Sequence, residues 1–225
     1  MPKAQEARLD LPGIGYLLVE GIDDWHVHHH LRLAGVSFDI GYCGNDDNLL
    51  AKLSAVVVGS GTTKRILGAV LDADADTGVN SRFRSIRDRL DSAYDFPEEF
   101  PPNGLIVRPK LDHPNHDRLP VIGVWLMPDN VRDGILEDLL REALPAEQEA
   151  YIGKVVDRAR EDRVATFGSV DRSKVIVRTH IIWQDPSMKD LGIALAPHFE
   201  RLEPACRGFF DWQMRLFGEP TGGQT

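Results

Sequence analysis

Alternation is what most constrains this chain. Three short apolar runs, at residues 16–19, 38–42 and 65–71, are each followed by a stretch with helical spacing. Runs this short, closed by Glu20-Gly21, Gly44-Asn45 and Asp72, fit buried strands. Helices are expected from Asp23 or Asp24 to about Ala34, over 47–58, and from Ser81 to Asp91. Gly35 and the glycines at 59 and 61 stand where helices stop. A β-α-β-α-β-α order implies an α/β fold with a mostly parallel sheet and helices on both faces. Strands at 105–107 and 121–126 follow, around a polar loop at 110–118, and then a helix at 134–143. The remainder reads as helices at 146–160, 172–183 and 208–217. The expected organisation is an α/β core over 1–145 with a C-terminal helical region, 146–225, packed on it as one unit.

The acidic residues fall at particular places in this pattern. Glu20 closes the first strand, and Asp72 and Asp74 close the third. Ligands of open α/β sheets bind beyond the carboxyl ends of the strands, so neighbouring strands bring these carboxylates to one edge. Residues two apart in an extended chain point the same way. Asp72 and Asp74 are therefore expected to face one site, with Ala73 packed inward and Asp76 continuing the row as an outer ligand. Clustered carboxylates repel one another. A hard cation such as Mg²⁺ (or Mn²⁺), which takes oxygen ligands, relieves that repulsion.

Three other readings of the Asp run stand beside this one. Asp72, Asp74 and Asp76 match the opening of a calcium loop, but Thr77 and Phe83 stand where that loop needs Gly and Glu. A haloacid-dehalogenase-like phosphatase also places Asp-x-Asp after a strand, with Thr or Val two residues beyond, where this chain has Asp76. The plainest reading is that the carboxylates cap a loop and a helix start. Glu20-Gly21 at an equivalent strand end favours a shared site.

The segments Leu17-Leu18-Val19-Glu20-Gly21-Ile22-Asp23-Asp24 and Val70-Leu71-Asp72-Ala73-Asp74 resemble the Toprim signature. That fold occurs in topoisomerases, bacterial primases, small RNA maturation nucleases and OLD-type nucleases. The resemblance implies that Glu20 acts in acid/base work or metal binding and that Asp72 and Asp74 bind Mg²⁺. A second block runs from Gly123 to Asn130 and from Gly134 to Leu139, continuing through Ser173-Lys174, Trp183-Gln184-Asp185-Pro186 and Leu191-Gly192. It resembles an uncharacterised Toprim-like family of small bacterial and archaeal proteins. In OLD-type nucleases a Leu-Glu pair after the last core strand supplies a further acidic ligand. Leu136-Glu137 is the matching position, which makes Glu137 the fourth candidate.

Several other residues bear on function. Lys174 and Arg178, four apart on the predicted helix at 172–183, form one basic edge. A cation there, Lys174 first, would neutralise charge in a phosphoryl-transfer transition state. Arg82, Arg84, Arg87 and Arg89 follow the Asp run; with Arg178, Arg82 and Arg84 are candidates to guide a nucleic-acid backbone. Their ordinary alternative is pairing with Asp88 and Asp91. His26 and His30 have the spacing of a zinc pair, with no third ligand in view. Val27, Leu31 and Ala34 mark that helix's core stripe, so His28 and His29 are expected to face water. Trp125, Trp183, Phe209, Phe210, Trp212 and Phe217 are expected in the core.

Composition narrows the classes. The net charge of −9 argues against broad wrapping of DNA or RNA and leaves room for a partner with a basic surface. No apolar stretch approaches the roughly 20 residues of a membrane helix, and residues 1–10 are too polar for a secretory signal. Two cysteines in no motif fit a free-thiol cytoplasmic protein. There is no Gly-rich Lys-Ser/Thr loop, so ATP hydrolysis is not expected. The sequence thus carries two main functional expectations, with phosphate-monoester or nucleotide hydrolysis as a third. One is an Mg²⁺-dependent phosphodiester hydrolase, a nuclease on DNA or RNA. The other is a Toprim-fold interaction protein working with an ATPase partner, with weak or no catalysis of its own.

Overall fold

The computed structural model describes residues 3–10, 14–57, 65–74, 77–188 and 191–218. The glycines at 59 and 61 and Asp76 lie outside these described residues. Among the described residues five strands are formed: β1 (Gly15–Val19), β2 (Asp39–Tyr42), β3 (Ile66–Asp72), β4 (Leu105–Val107) and β5 (Val121–Met127). Three helices alternate with the first strands: α1 (Ile22–His30), α2 (Asp46–Val57) and α3 (Gly78–Leu90). After β5 come α4 (Leu136–Arg141), α5 (Ala146–Glu161), α6 (Arg172–Gln184), α7 (Leu191–Leu195) and α8 (Glu203–Phe217).

The strands join in the order β2-β1-β3-β5-β4. The pairs β1–β2, β1–β3 and β3–β5 are parallel, and only the edge strand β4 runs antiparallel. From β1 the chain moves outward to β2 and then returns to place β3 on the other flank of β1. That reversal is the topological switch point, where α/β sheets open a crevice between strand ends. The sheet is covered on both faces, so its strands are almost continuously apolar, yet alternate residues still serve opposite cores. Leu17, Val19, Val70, Trp125 and Met127 join the core shared with α1 and the C-terminal helices. Tyr16, Leu18, Leu67, Leu71, Ile122, Val124 and Leu126 join the core shared with α2 and α3.

Glycine explains how α8 lies so close to the sheet. Gly68 and Gly123 are register partners in β3 and β5. A Cβ on Gly68 would meet Phe217 at 2.8 Å, and one on Gly123 would run into Leu216. Trp212 completes the seal, its indole N–H donating to the Leu105 carbonyl at 3.1 Å. The helical region and the sheet therefore share one apolar core.

The structure corrects the reading of α1. The helix ends at His30, so Ala34 is exposed and off the core face. Val27 and Leu31 are buried as expected, joined by Trp25 and His28. His28, expected to face water, is 1% exposed against Phe209, and neither ring nitrogen has a hydrogen-bond partner. Desolvation pushes its pKa down to about 3. The unfolded chain takes up this proton below about 6.5 and the folded chain does not, so stability present above pH 6.5 is lost as pH falls towards 3. From pH 7 to pH 5 the loss is about 2 kcal/mol. Urea unfolding of wild type and His28→Leu should diverge by that amount on acidification. Parallel pH profiles would contradict it.

Trp183 is also corrected. It lies on the outer face of α6, 51% exposed beside the exposed Tyr151 of α5. The predicted helix at 208–217 starts earlier, at Glu203, because Pro204 in its first turn leaves no bond unmade. The one-and-a-half-turn α7 was not expected; it is brief and packs on α1, with Gly192 tight against the His26 backbone.

Candidate functional site

The switch point is lined with acid. Glu20 leaves the end of β1 and Asp72 ends β3, and the Asp72 N–H donates to Glu20 Oε1 at 2.7 Å. Asp72 Oδ1 in turn accepts from the Leu136 N–H that opens α4, at 2.8 Å. Asp24, in the first turn of α1, accepts from the Gly21 N–H at 3.0 Å. Glu137, the second residue of α4, is buried. Two strand ends and two helix starts thus carry Glu20, Asp24, Asp72 and Glu137 to one place. They lie close enough that Asp24, Glu20 and Glu137 each raise the pKa of Asp72.

Burial is the larger cause of every shift in this group, and the mutual repulsion adds to it. Glu20 is pushed up to about 7, against the opposing pull of the Asp72 N–H, with Asp24 adding to the rise. Asp24 rises to about 6, with Glu137 contributing. Asp72 rises well above the usual range. Glu137 also rises, restrained chiefly by Lys174, then by a backbone hydrogen bond and Arg178.

Two hollows flank Asp72. One, of about 430 Å³, is lined by Asp23, Asp24, Asp72 and Glu137 with Lys174 and Arg178. The other, of about 260 Å³, is lined by Asp72, Asp74, Asp138, Asp171 and Lys174. Lys174, exposed in the first turn of α6, borders both. Among the described residues no group of three or more His, Cys, Asp or Glu side chains is arranged to hold a metal ion as it stands. The donor set nonetheless fits a hard divalent cation. It is all carboxylate and half-buried, and at neutral pH its members repel one another.

The DUF3226 family, described as a protein of unknown function, matches residues 15–218. The chain belongs to this family. No curated protein and no solved structure matches it. The DUF3226 match runs from the first residue of β1 to just past α8 and so contains every element that carries the acidic site.

Within this DUF3226 member, the other candidate residues fall as follows. Asp74 does not share the orientation of Asp72. The strand ends at Asp72, and Asp74 takes a left-handed backbone, φ 58°, its N–H donating to the Gly134 carbonyl at 2.8 Å. Its carboxylate pairs with Arg82 at 2.7 Å, although it still lines the smaller hollow beside Asp72. Arg82 is a correction. Expected at a nucleic-acid surface, it is buried and fully engaged, donating to Asp46 at 2.8 Å, to Asp74, and to the Asp72 carbonyl at 3.1 Å. Arg84 is exposed on α3, away from both hollows. Arg178 lines the larger hollow but is paired with Asp23.

Asp24 was missed as a site residue, because an acid at a helix start reads as a cap, which it also is. The signal lay in its spacing: it is four residues after Glu20, across the strand-to-helix turn. Asp46 was likewise invisible, since its partner Arg82 is 36 residues away. Cys43 and Cys206 are free and buried, and burial pushes each thiol up to about 12, which removes both as nucleophiles. Among the described residues, no helix is long and apolar enough to cross a membrane.

Proposed function

We propose that this DUF3226 member is a phosphodiester hydrolase dependent on Mg²⁺ or Mn²⁺, with a Toprim-like site. The observation that carries the reading is the convergence of Asp24, Asp72 and Glu137 on one hollow at the switch point, faced by Lys174, with Glu20 bonded to the Asp72 N–H beside it. Burying four carboxylates together costs folding free energy that a purely structural role does not require. Asp72, Asp24 and Glu137 are the residues that would hold the cation, with Asp74 adjoining. When bound, it supplies charge neutralisation at the phosphoryl group and lowers the pKa of water.

The chain's own groups then have distinct tasks. Lys174, free to reach either hollow, binds a non-bridging phosphate oxygen and offsets the charge that develops there. Glu20 is fixed by the Asp72 N–H, and its pKa of about 7 suits a general base at neutral pH. Water oxygen bonds to phosphorus, its proton passes to Glu20, and the ester P–O bond opens. The departing alkoxide oxygen takes a proton from solvent. With Mn²⁺ the purified chain should hydrolyse a chromogenic phosphodiester, stop with a chelator, and lose about a thousand-fold in kcat on Glu20→Gln. Hydrolysis unaffected by both chelator and Glu20→Gln would refute the reading.

A second reading is an interaction protein that works with an ATPase, its own catalysis weak or absent. It is favoured by Tyr151 and Trp183, exposed side by side on α5 and α6 with ring centroids 6.0 Å apart. An intact chain that binds Mn²⁺ yet hydrolyses no phosphoester would favour it.

A further inference from the structure

Building on the hydrolase reading, we propose that the substrate is a short phosphodiester of about dinucleotide size, held through one or two phosphates, and not a long nucleic-acid strand. The first ground is size. The hollows beside Asp72, about 430 and 260 Å³, lie in or near the range of roughly 300–1,000 Å³ typical of small-ligand pockets. Lys174 borders both, so a ligand bridging them passes one phosphate across Asp72 beneath a single cation.

The second ground is charge. A long strand is held by neutralising about 6–10 phosphates with Lys and Arg. The cations lining the two hollows are Lys174 and Arg178, and Arg178 is paired with Asp23. Against them stand seven acids: Asp23, Asp24, Asp72 and Glu137 in the first hollow, with Asp74, Asp138 and Asp171 added in the second. Beyond the site four arginines are committed to ion pairs. Arg132 pairs with Asp129 and Glu142, Arg141 with Glu149, Arg158 with Asp162, and Arg172 with Asp157. A chain of net charge −9 also gives a long strand no general electrostatic attraction. A substrate that ends within the hollows needs none.

Hydrolysis of such a diester consumes one water and yields one phosphomonoester and one alcohol. The test compares a dinucleotide, a long single strand and a duplex with the intact chain and Mn²⁺. The dinucleotide should match the long strand in kcat/KM within about tenfold, and raising salt from about 50 to about 200 mM should lower kcat/KM by less than about tenfold. Arg84→Ala should leave all rates unchanged, and Lys174→Gln should raise KM for the dinucleotide. A preference above about 100-fold for the long strand or duplex, with a salt loss near 10³-fold, would overturn the inference while leaving the hydrolase reading in place. Absence of any Asp72-dependent hydrolysis across all three substrates would overturn both.

Discussion

Asp72→Asn should make the protein more stable at about pH 8 without metal while lowering its hydrolysis about a thousand-fold, a loss of about 4 kcal/mol. The two effects have one cause. Asp72 sits among Glu20, Asp24 and Glu137, and burial together with their charge holds its pKa well above that of an ordinary aspartate. A carboxylate raised in the folded state contributes stability below its unfolded pKa and loses it as pH rises through the folded value. At about pH 8, well above the unfolded value, Asp72 therefore weakens the fold, and a neutral amide removes that burden. Asparagine keeps an oxygen to accept from the Leu136 N–H, so the turn survives the change. Urea unfolding and metal-supplied turnover on the same preparation check both halves. An Asp72→Asn protein that is less stable at about pH 8, or that still turns over at the wild-type rate, would contradict the expectation.

Arg82→Met should cost about 3 kcal/mol in urea unfolding. The guanidinium joins three pieces of chain: Asp46 at the start of α2, the Asp72 carbonyl at the end of β3, and Asp74 in the turn beyond. Methionine fills much of the volume but leaves the carbonyl without this donor and two carboxylates without their cation. Because Asp46 and Asp74 are each more than a third exposed, water takes up part of the loss, which holds the expected figure at the low end for a broken buried pair. Arg82→Lys should recover only part, since an ammonium cannot present a fixed fork to three acceptors. A loss under about 1 kcal/mol for Arg82→Met would mean that the turn holds itself.

Much of this could be read from the sequence because it depends on local pattern. Alternating apolar runs and helical spacing give the parallel sheet, and Glu20 and Asp72 meet because each ends a strand at the switch point. What local pattern does not carry is where a turn sends its side chains. The extended geometry assumed for Asp72 and Asp74 fails one residue beyond β3, where φ becomes positive and Asp74 swings to Arg82. Arg82 and Arg84 look equivalent in sequence, but helix phase buries one and exposes the other. His28 was misplaced because the face that holds Val27 and Leu31 also takes in residue 28, whose polar ring gives no sign of burial. Asp24 serves as both cap and site acid, and its cap role alone explains it locally.

The most direct measurement is calorimetric titration of Mn²⁺ into the purified chain, beside Asp72→Asn and Arg84→Ala. If Asp24, Asp72 and Glu137 form a cation site, wild type and Arg84→Ala bind saturably, and Asp72→Asn loses about tenfold or more in affinity, at least about 1.4 kcal/mol. Equal binding by wild type and Asp72→Asn, or no binding by either, would contradict the metal site and the hydrolysis built on it.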